Sequence, residues 1–107
     1  MNAIEYSEKT GALVLLKGEK DIITDGRIYK VTEGGNPRMT MGGTGDLLAG
    51  ILTSLLPRSS SQLAAACMAS FVNKKAADIC YQEKSSWYDI HDMIRKIPEV
   101  FRYYNQY

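Results

Sequence analysis

Thirteen residues near the middle of the chain, Gly34-Gly35-Asn36-Pro37-Arg38-Met39-Thr40-Met41-Gly42-Gly43-Thr44-Gly45-Asp46, lead straight into the apolar run Leu47-Leu48-Ala49-Gly50-Ile51-Leu52. Six of the nine glycines lie within residues 34–50, so backbone freedom is concentrated at one place. The residues before this segment read as strands, and the residues after it read as helices. The segment is therefore the joint between a β part and an α part. Any fold for this chain must place a tight, glycine-lined turn at the head of a helix.

Before the joint, Ala12-Leu13-Val14-Leu15-Leu16 is a continuous apolar run of strand length. It predicts a strand buried on both faces, as in a parallel sheet covered by helices. Asp21-Ile22-Ile23-Thr24 and Arg27-Ile28-Tyr29-Lys30-Val31-Thr32 flank Asp25-Gly26. Asp-Gly between two β-prone runs predicts a two-residue hairpin with φ > 0 at both turn positions. Strands are expected at 12–17, 21–24 and 27–32.

After the joint, a helix is expected over 45–56, stopped by Pro57. Leu47, Leu48, Ile51, Leu52, Leu55 and Leu56 leave it little polar surface, which predicts deep burial. Ser59 followed by Gln62 fits a capping box and would open a second helix running to about residue 82. Leu63, Cys67, Phe71 and Ile79 form its apolar stripe. A last helix is expected over 89–103, kinked or split by Pro98.

Composition narrows the function classes. The 107 residues amount to one domain's worth of chain. Thirteen basic against twelve acidic side chains argue against a nucleic-acid partner held by phosphate contacts. No apolar run, Leu13–Leu16 included, is long enough to span a membrane. The first residues lack a basic region followed by an apolar stretch, so a cytoplasmic location is expected. Cys67 and Cys80 would lie on one helix about 20 Å apart, which forbids a mutual disulfide and predicts buried thiols. His91 has no Cys or second His near it, and a metal role is not expected.

The joint also carries chemistry. The first N–H groups of a helix lack internal partners and carry the positive end of its dipole. Gly42, Gly43 and Gly45 let an anion approach that backbone closely. A phosphate is the natural guest. Asp46 would either cap the helix or point at a substrate hydroxyl and take its proton. The loop is not a P-loop, because no Gly-Lys-Ser/Thr comes after it. It is not a dinucleotide fingerprint, because a hairpin precedes it.

Taken together, Leu15-Leu16-Lys17-Gly18, Asp21-Ile22-Ile23-Thr24-Asp25-Gly26, Gly35-Asn36-Pro37 with Met39, and Gly42-Gly43-Thr44-Gly45-Asp46-Leu47-Leu48-Ala49-Gly50-Ile51 resemble the ADP/ATP-dependent NAD(P)H-hydrate dehydratases. These are carbohydrate-kinase-like proteins of the ribokinase superfamily. Ala64-Ala65-Ala66 and Ile97-Pro98-Glu99-Val100 are similar to that family's closing helices. The resemblance implies an α/β chain, the carboxyl-terminal part of a three-layer α/β/α fold: a strand, a β-hairpin, then three helices. Residues 1–107 would form a single partial domain, with Ala3-Ile4-Glu5-Tyr6-Ser7 the end of a helix. The strand at 12–17 would then expose an edge, which predicts self-association or a partner supplying further strands.

The resemblance further implies repair of hydrated NADH and NADPH, with ADP or ATP and Mg2+ as cofactors. Phosphorylation would activate the ring hydroxyl, and phosphate would then leave. Lys17, Gly18, Glu19, Lys20 and Asp21 match the family's first nucleotide-binding segment. Asn36, Met39, Gly42, Gly43, Thr44 and Gly45 match its anion loop, with Gly45 against the nucleotide phosphate. Asp46 matches the residue that touches the hydrated nicotinamide and would be the base. Rival readings are another ribokinase-like small-molecule kinase, and a non-catalytic chain that binds nucleotide or self-associates. Arg38 and Met41 depart from the family's usual small residues, and Arg38 is expected to be solvated. Lys74-Lys75 reads as a solvated face. Trp87, Tyr88 and Tyr103-Tyr104-Tyr107 read as packing residues or as an adenine pocket.

Overall fold

A computed structural model describes residues 2–104. The element order is α1 (Ala3–Thr10), β1 (Val14–Leu16), β2 (Asp21–Thr24), β3 (Tyr29–Thr32), α2 (Thr44–Leu55), α3 (Gln62–Lys84) and α4 (Ile90–Tyr104). Short 3-10 turns occupy Pro37–Thr40, Leu56–Arg58 and Ser85–Trp87. The α/β class and the order of strand, hairpin and three helices agree with the sequence reading.

The sheet corrects two expectations. Its three strands are antiparallel in the order β1-β2-β3, with Leu15 opposite Ile23 and Ile22 opposite Val31. No parallel pair occurs among the described residues, and β1 is an edge strand. Val14 and Leu15 are half-buried and Leu16 is 51% exposed, so β1 is not covered on both faces. The hairpin also differs. Thr24 pairs with Tyr29, leaving a four-residue loop. Gly26 alone in it has positive φ, at 91°. The Asp25 carboxylate accepts from the Arg27 and Ile28 amides at 2.9 and 3.0 Å. That Asx-type turn replaces the tight two-residue form. Glycine is needed at 26 for a second reason: a Cβ there would come within 3.1 Å of the α1 backbone at Glu8.

α3 is the centre of the molecule. It contacts β2 and β3 on one side and α2 and α4 on others. Ala65, Ala66, Ala69, Val72, Ala76 and Ala77 are fully buried. These small side chains let neighbouring elements approach closely from several directions. The larger stripe residues Leu63, Cys67, Phe71 and Ile79 are only half-buried. α2 turns Leu48, Ile51 and Leu55 into the core with Val72 and Val100. Leu56 is 41% exposed and Ala49, Gly50 and Thr53 face outward. Deep burial of the whole helix is therefore overturned; one face is covered.

The helix ends carry two further corrections. The cap of α3 is Ser61, whose hydroxyl accepts from the Ala64 amide at 3.0 Å. Ser59 instead donates to the Leu55 carbonyl at 2.8 Å, so the cap lies two residues later than the Ser59–Gln62 spacing predicts. Pro98 lies inside an uninterrupted α4 and does not split it. A second apolar group joins Ala77, Cys80, Tyr88 and Met93, with Met39 and Met41 against it. It ties the glycine-rich joint to α3 and α4.

Candidate functional site

The joint is built outward from Asn36. Its amide Nδ2 donates to the Ala77 carbonyl at 3.2 Å and to Asp78 Oδ1 at 3.1 Å. Its Oδ1 accepts from the Arg38 amide at 3.2 Å and from Tyr88 Oη at 2.6 Å. The other Asp78 oxygen accepts from the Gly35 amide at 2.9 Å. Pro37 then begins the 3-10 turn that Asn36 caps, where its missing N–H costs nothing. The side chain expected to touch nucleotide is thus committed to holding the loop on α3.

At the far end of the loop, Gly43 adopts φ 98° and starts α2 without a side-chain cap. A Cβ there would meet Ile90 Cγ1 at 3.1 Å. Thr44 is buried, and its hydroxyl donates to the Met39 carbonyl at 3.0 Å. Lys17 Nζ, reaching across from the end of β1, donates to the same hydroxyl at 3.2 Å. Nothing comes near a Cβ placed at Gly42, and only Lys17 Nζ, at 3.8 Å, approaches one at Gly45. Asp46 is exposed in the first turn of the helix. A cation, unpaired helix amides and a carboxylate therefore share one open corner.

That corner adjoins a cleft of about 860 Å3. Lys17, Gly18, Glu19, Lys20 and Asp21 line one wall; Asn36 and Met39 line another. The structure therefore brings the two sequence-read segments together across the cleft. Gly42, Gly43, Thr44, Gly45 and Asp46 do not line it, and of these Thr44 and Gly45 approach Lys17 at its end. Asp21, however, is 1% exposed. Its Oδ1 accepts from the Gly18 amide at 3.0 Å and its Oδ2 from Ser70 Oγ at 2.7 Å. It anchors the turn from beneath, as Thr44 anchors the helix start.

Other expectations change. Lys74 does not lie on a solvated face: it is 5% exposed and reaches toward this turn. A buried charge needs partners of this kind. Lys75 is half-buried with its Nζ 5.7 Å from the Tyr104 ring centre. Arg38 is exposed, yet its Nε donates to the Tyr88 carbonyl at 2.9 Å. Met41 is accommodated by the Ala77, Cys80, Tyr88 and Met93 group. Tyr88 is fully buried, and that burial pushes its phenol up despite the Asn36 hydrogen bond. Trp87 is 88% exposed and Tyr103 71% exposed; Tyr107 lies outside the described residues. His91 is exposed. Cys80 is buried and Cys67 half-buried, both unbridged.

Sequence reasoning missed Asn73. It lines the cleft, is 1% exposed, and its Oδ1 has no hydrogen-bond partner among the described residues. Its position between Val72 and Lys74 on a helix gave no signal, because an Asn in such a stripe reads as a surface break. No cluster of three or more His, Cys, Asp or Glu able to hold a metal occurs among the described residues. No described helix is long and apolar enough to cross a membrane.

A family model described as NAD(P)H-hydrate dehydratase matches residues 2–99. A bifunctional NAD(P)H-hydrate repair enzyme of Hyperthermus butylicus is 43% identical over 100 residues, which are 94% of this chain and 19% of that protein. An ADP-dependent (S)-NAD(P)H-hydrate dehydratase of Cenarchaeum symbiosum is 33% identical over 96 residues, 90% of this chain and 33% of that one. An ADP/ATP-dependent NAD(P)H-hydrate dehydratase from Bacillus subtilis, co-crystallized with ATP/Mg2+, superposes with a TM-score of 0.87 at 23% identity. That match covers 94% of this chain and 37% of its partner, and shows the shared fold. The chain thus spans about a fifth to a third of the length of these curated relatives. With a family model matching nearly its whole length, the chain belongs to the carbohydrate-kinase-like NAD(P)H-hydrate dehydratase family.

Proposed function

We propose that this chain supplies the nucleotide-phosphate corner and the base of an ADP/ATP-dependent NAD(P)H-hydrate dehydratase. One observation carries the reading. Lys17 Nζ meets Thr44 Oγ1 at the first turn of α2, so a fixed cation stands beside unpaired helix amides over glycines that leave room for a phosphate. Asp46 projects from that same turn. Such an arrangement stabilises a transferring phosphoryl group while a carboxylate handles the acceptor's proton.

In this reading Asp46 takes the proton of the ring hydroxyl as its oxygen receives the terminal phosphoryl group of ADP or ATP. The nucleotide leaves one phosphate shorter. The C–O bond then breaks, inorganic phosphate departs, and loss of a proton from the neighbouring carbon restores the double bond. Lys17 and the amides near Gly45 hold the phosphate; Gly18, Glu19, Lys20 and Met39 line the nucleotide's cleft. Asp21, Asn36 and Thr44 act by holding those walls. The chain offers no all-protein cage for Mg2+ among the described residues, which fits an ion carried mainly by the nucleotide phosphates; when bound it would neutralise charge on them. The Asn73 carbonyl oxygen is available to a donor on the nucleotide or a bound water.

The free edge of β1 and the exposed Leu16 beside it support a further strand from a second copy or another polypeptide. A monomer by sedimentation at tens of micromolar would count against it. A cytoplasmic location goes with the reading.

The test is calorimetric titration with ADP, then turnover of hydrated NADH. Asp46→Asn should abolish turnover while ADP affinity stays within about threefold, and Lys17→Met should weaken ADP at least tenfold. Wild-type turnover in Asp46→Asn would sink the base assignment. Unchanged ADP affinity in Lys17→Met would sink the phosphate corner.

A further inference from the structure

Lys74 is a residue that the proposed chemistry does not use, and its surroundings are unusual for a lysine. Its side chain is 6% exposed. Nζ donates to the carbonyls of Gly18 at 3.2 Å, Glu19 at 3.1 Å and Gly34 at 3.4 Å. It also lies 3.6 Å from Asp21 Oδ1. These acceptors come from two separate segments, the turn between β1 and β2 and the start of the glycine-rich joint. Both segments line the cleft, and Lys74 reaches them from the middle of α3.

We propose that Lys74 is a positioning residue for nucleotide binding, a buried cationic clamp that sets the two cleft walls relative to each other. First, a peptide unit is planar and trans, so a carbonyl aimed at Lys74 turns the next residue's amide the opposite way. Holding the Gly18 and Glu19 carbonyls therefore orients the Glu19 and Lys20 amides away from α3, and fixes a turn that has no ladder bonds of its own. Second, the clamp joins that turn to Gly34, where φ is 103° and the chain has the most conformational freedom to lose. The only other charged link between the segments is the Lys20–Glu33 pair among the described residues. It lies at 3.3 Å with both side chains largely exposed, and such surface pairs contribute little. A methionine at 74 would keep the length of the side chain and leave three carbonyls and the Asp21 carboxylate with one donor fewer.

This inference rests on the nucleotide reading, and the experiment separates the two. Lys74→Met, Lys74→Arg and the remote core variant Val100→Ala are compared with the wild-type chain by ADP titration, thermal melting and amide hydrogen exchange. Lys74→Met should weaken ADP at least tenfold and speed exchange at residues 18–20 and 34–35 at least tenfold. Lys74→Arg should recover part of the ADP affinity, and Val100→Ala should leave it within twofold despite a lower melting temperature. If Lys74→Met does not fold, the Lys74→Arg and Val100→Ala comparison decides: ADP weakened more than threefold by the former alone supports the clamp. Wild-type ADP affinity with unchanged loop exchange in a folded Lys74→Met, or in Lys74→Arg where Lys74→Met does not fold, would overturn it. So would an equal loss in Val100→Ala. Failure of the wild-type chain itself to bind ADP would overturn the nucleotide reading, and with it the clamp's part in binding.

Discussion

Replacing Asn36 with alanine separates two roles that the residue's position in the loop leaves open. A side chain that touches only nucleotide could be removed with little cost to folding. Here the amide makes four internal bonds, to Ala77, Asp78, Arg38 and Tyr88. Loss of the cap on the Pro37–Thr40 turn costs about 1 kcal/mol by analogy with helix caps. The Tyr88 hydroxyl, in a fully buried residue, would lose its acceptor, and a stranded buried donor costs about 1–3 kcal/mol. The two amide bonds to α3 add about 1–2 kcal/mol net. Asn36→Ala should therefore destabilise the chain by about 3–6 kcal/mol. Urea unfolding monitored by circular dichroism measures it. Tyr88→Phe should cost less, about 1–2 kcal/mol, because it removes the stranded donor along with the bond. The double variant should fall short of the sum by about 1 kcal/mol or more, since the two groups share one bond. A change below about 0.5 kcal/mol in Asn36→Ala, or strict additivity with Tyr88→Phe, would refute the structural assignment.

Three other perturbations probe different parts of the molecule. Gly43→Ala should lower the melting temperature: its φ of 98° strains any other residue, and the new Cβ would press on Ile90 at 3.1 Å; an unchanged melting temperature would show that the start of α2 relaxes freely. Burial, reinforced by Asp92, pushes the Cys80 thiol up to about 11. Cys80 should thus resist iodoacetamide at pH 8 until the chain is unfolded, as peptide mass mapping would show; rapid labelling of the native protein would contradict its placement. Lys84, the Asp89 amide and Arg95 hold the Asp92 carboxyl well below its ordinary 3.8. The unfolded carboxyl takes up its proton first on acidification, so Asp92 stabilises fully above that value and progressively less as pH falls through it. Asp92→Asn should flatten the acid limb of stability against pH, and an identical acid limb in the variant would exclude the link between α3 and α4.

The sequence showed where elements lie better than what surrounds them. The β-to-α joint, the Asp46-bearing helix and the pairing of 21–24 with the strand after it were legible because glycine clusters, apolar periodicity and turn residues are local signals. The character of β1 was not. An apolar pentapeptide cannot say whether its neighbours are parallel or antiparallel, and among the described residues its partner β2 is antiparallel. The Asp-Gly turn misled because Asp25 found a cheaper local arrangement, accepting two backbone amides instead of entering the left-handed region. Lys74 was misread for a related reason. Adjacent lysines on a helix are ordinarily solvated, and nothing local reports that three carbonyls from distant segments converge there.

Those errors have a common source, and it bears on how the site works. The residues matched to nucleotide binding divide into two groups once the fold is known. Lys17, Gly42, Gly45 and Asp46 offer groups to the open corner. Asp21, Asn36 and Thr44 commit their polar atoms to Ser70, Asp78, Tyr88 and the Met39 carbonyl. Both groups lie in the same short sequence segments and bear on one cleft. Only geometry separates contact from support. The supports converge on α3: Ser70, Lys74, Ala77 and Asp78 face the two loops within little more than two helical turns. One helix, closely packed through its alanines, therefore sets both walls of the cleft, and the loops can stay rich in glycine, where the proposed function has a phosphate approach, without leaving their positions to chance.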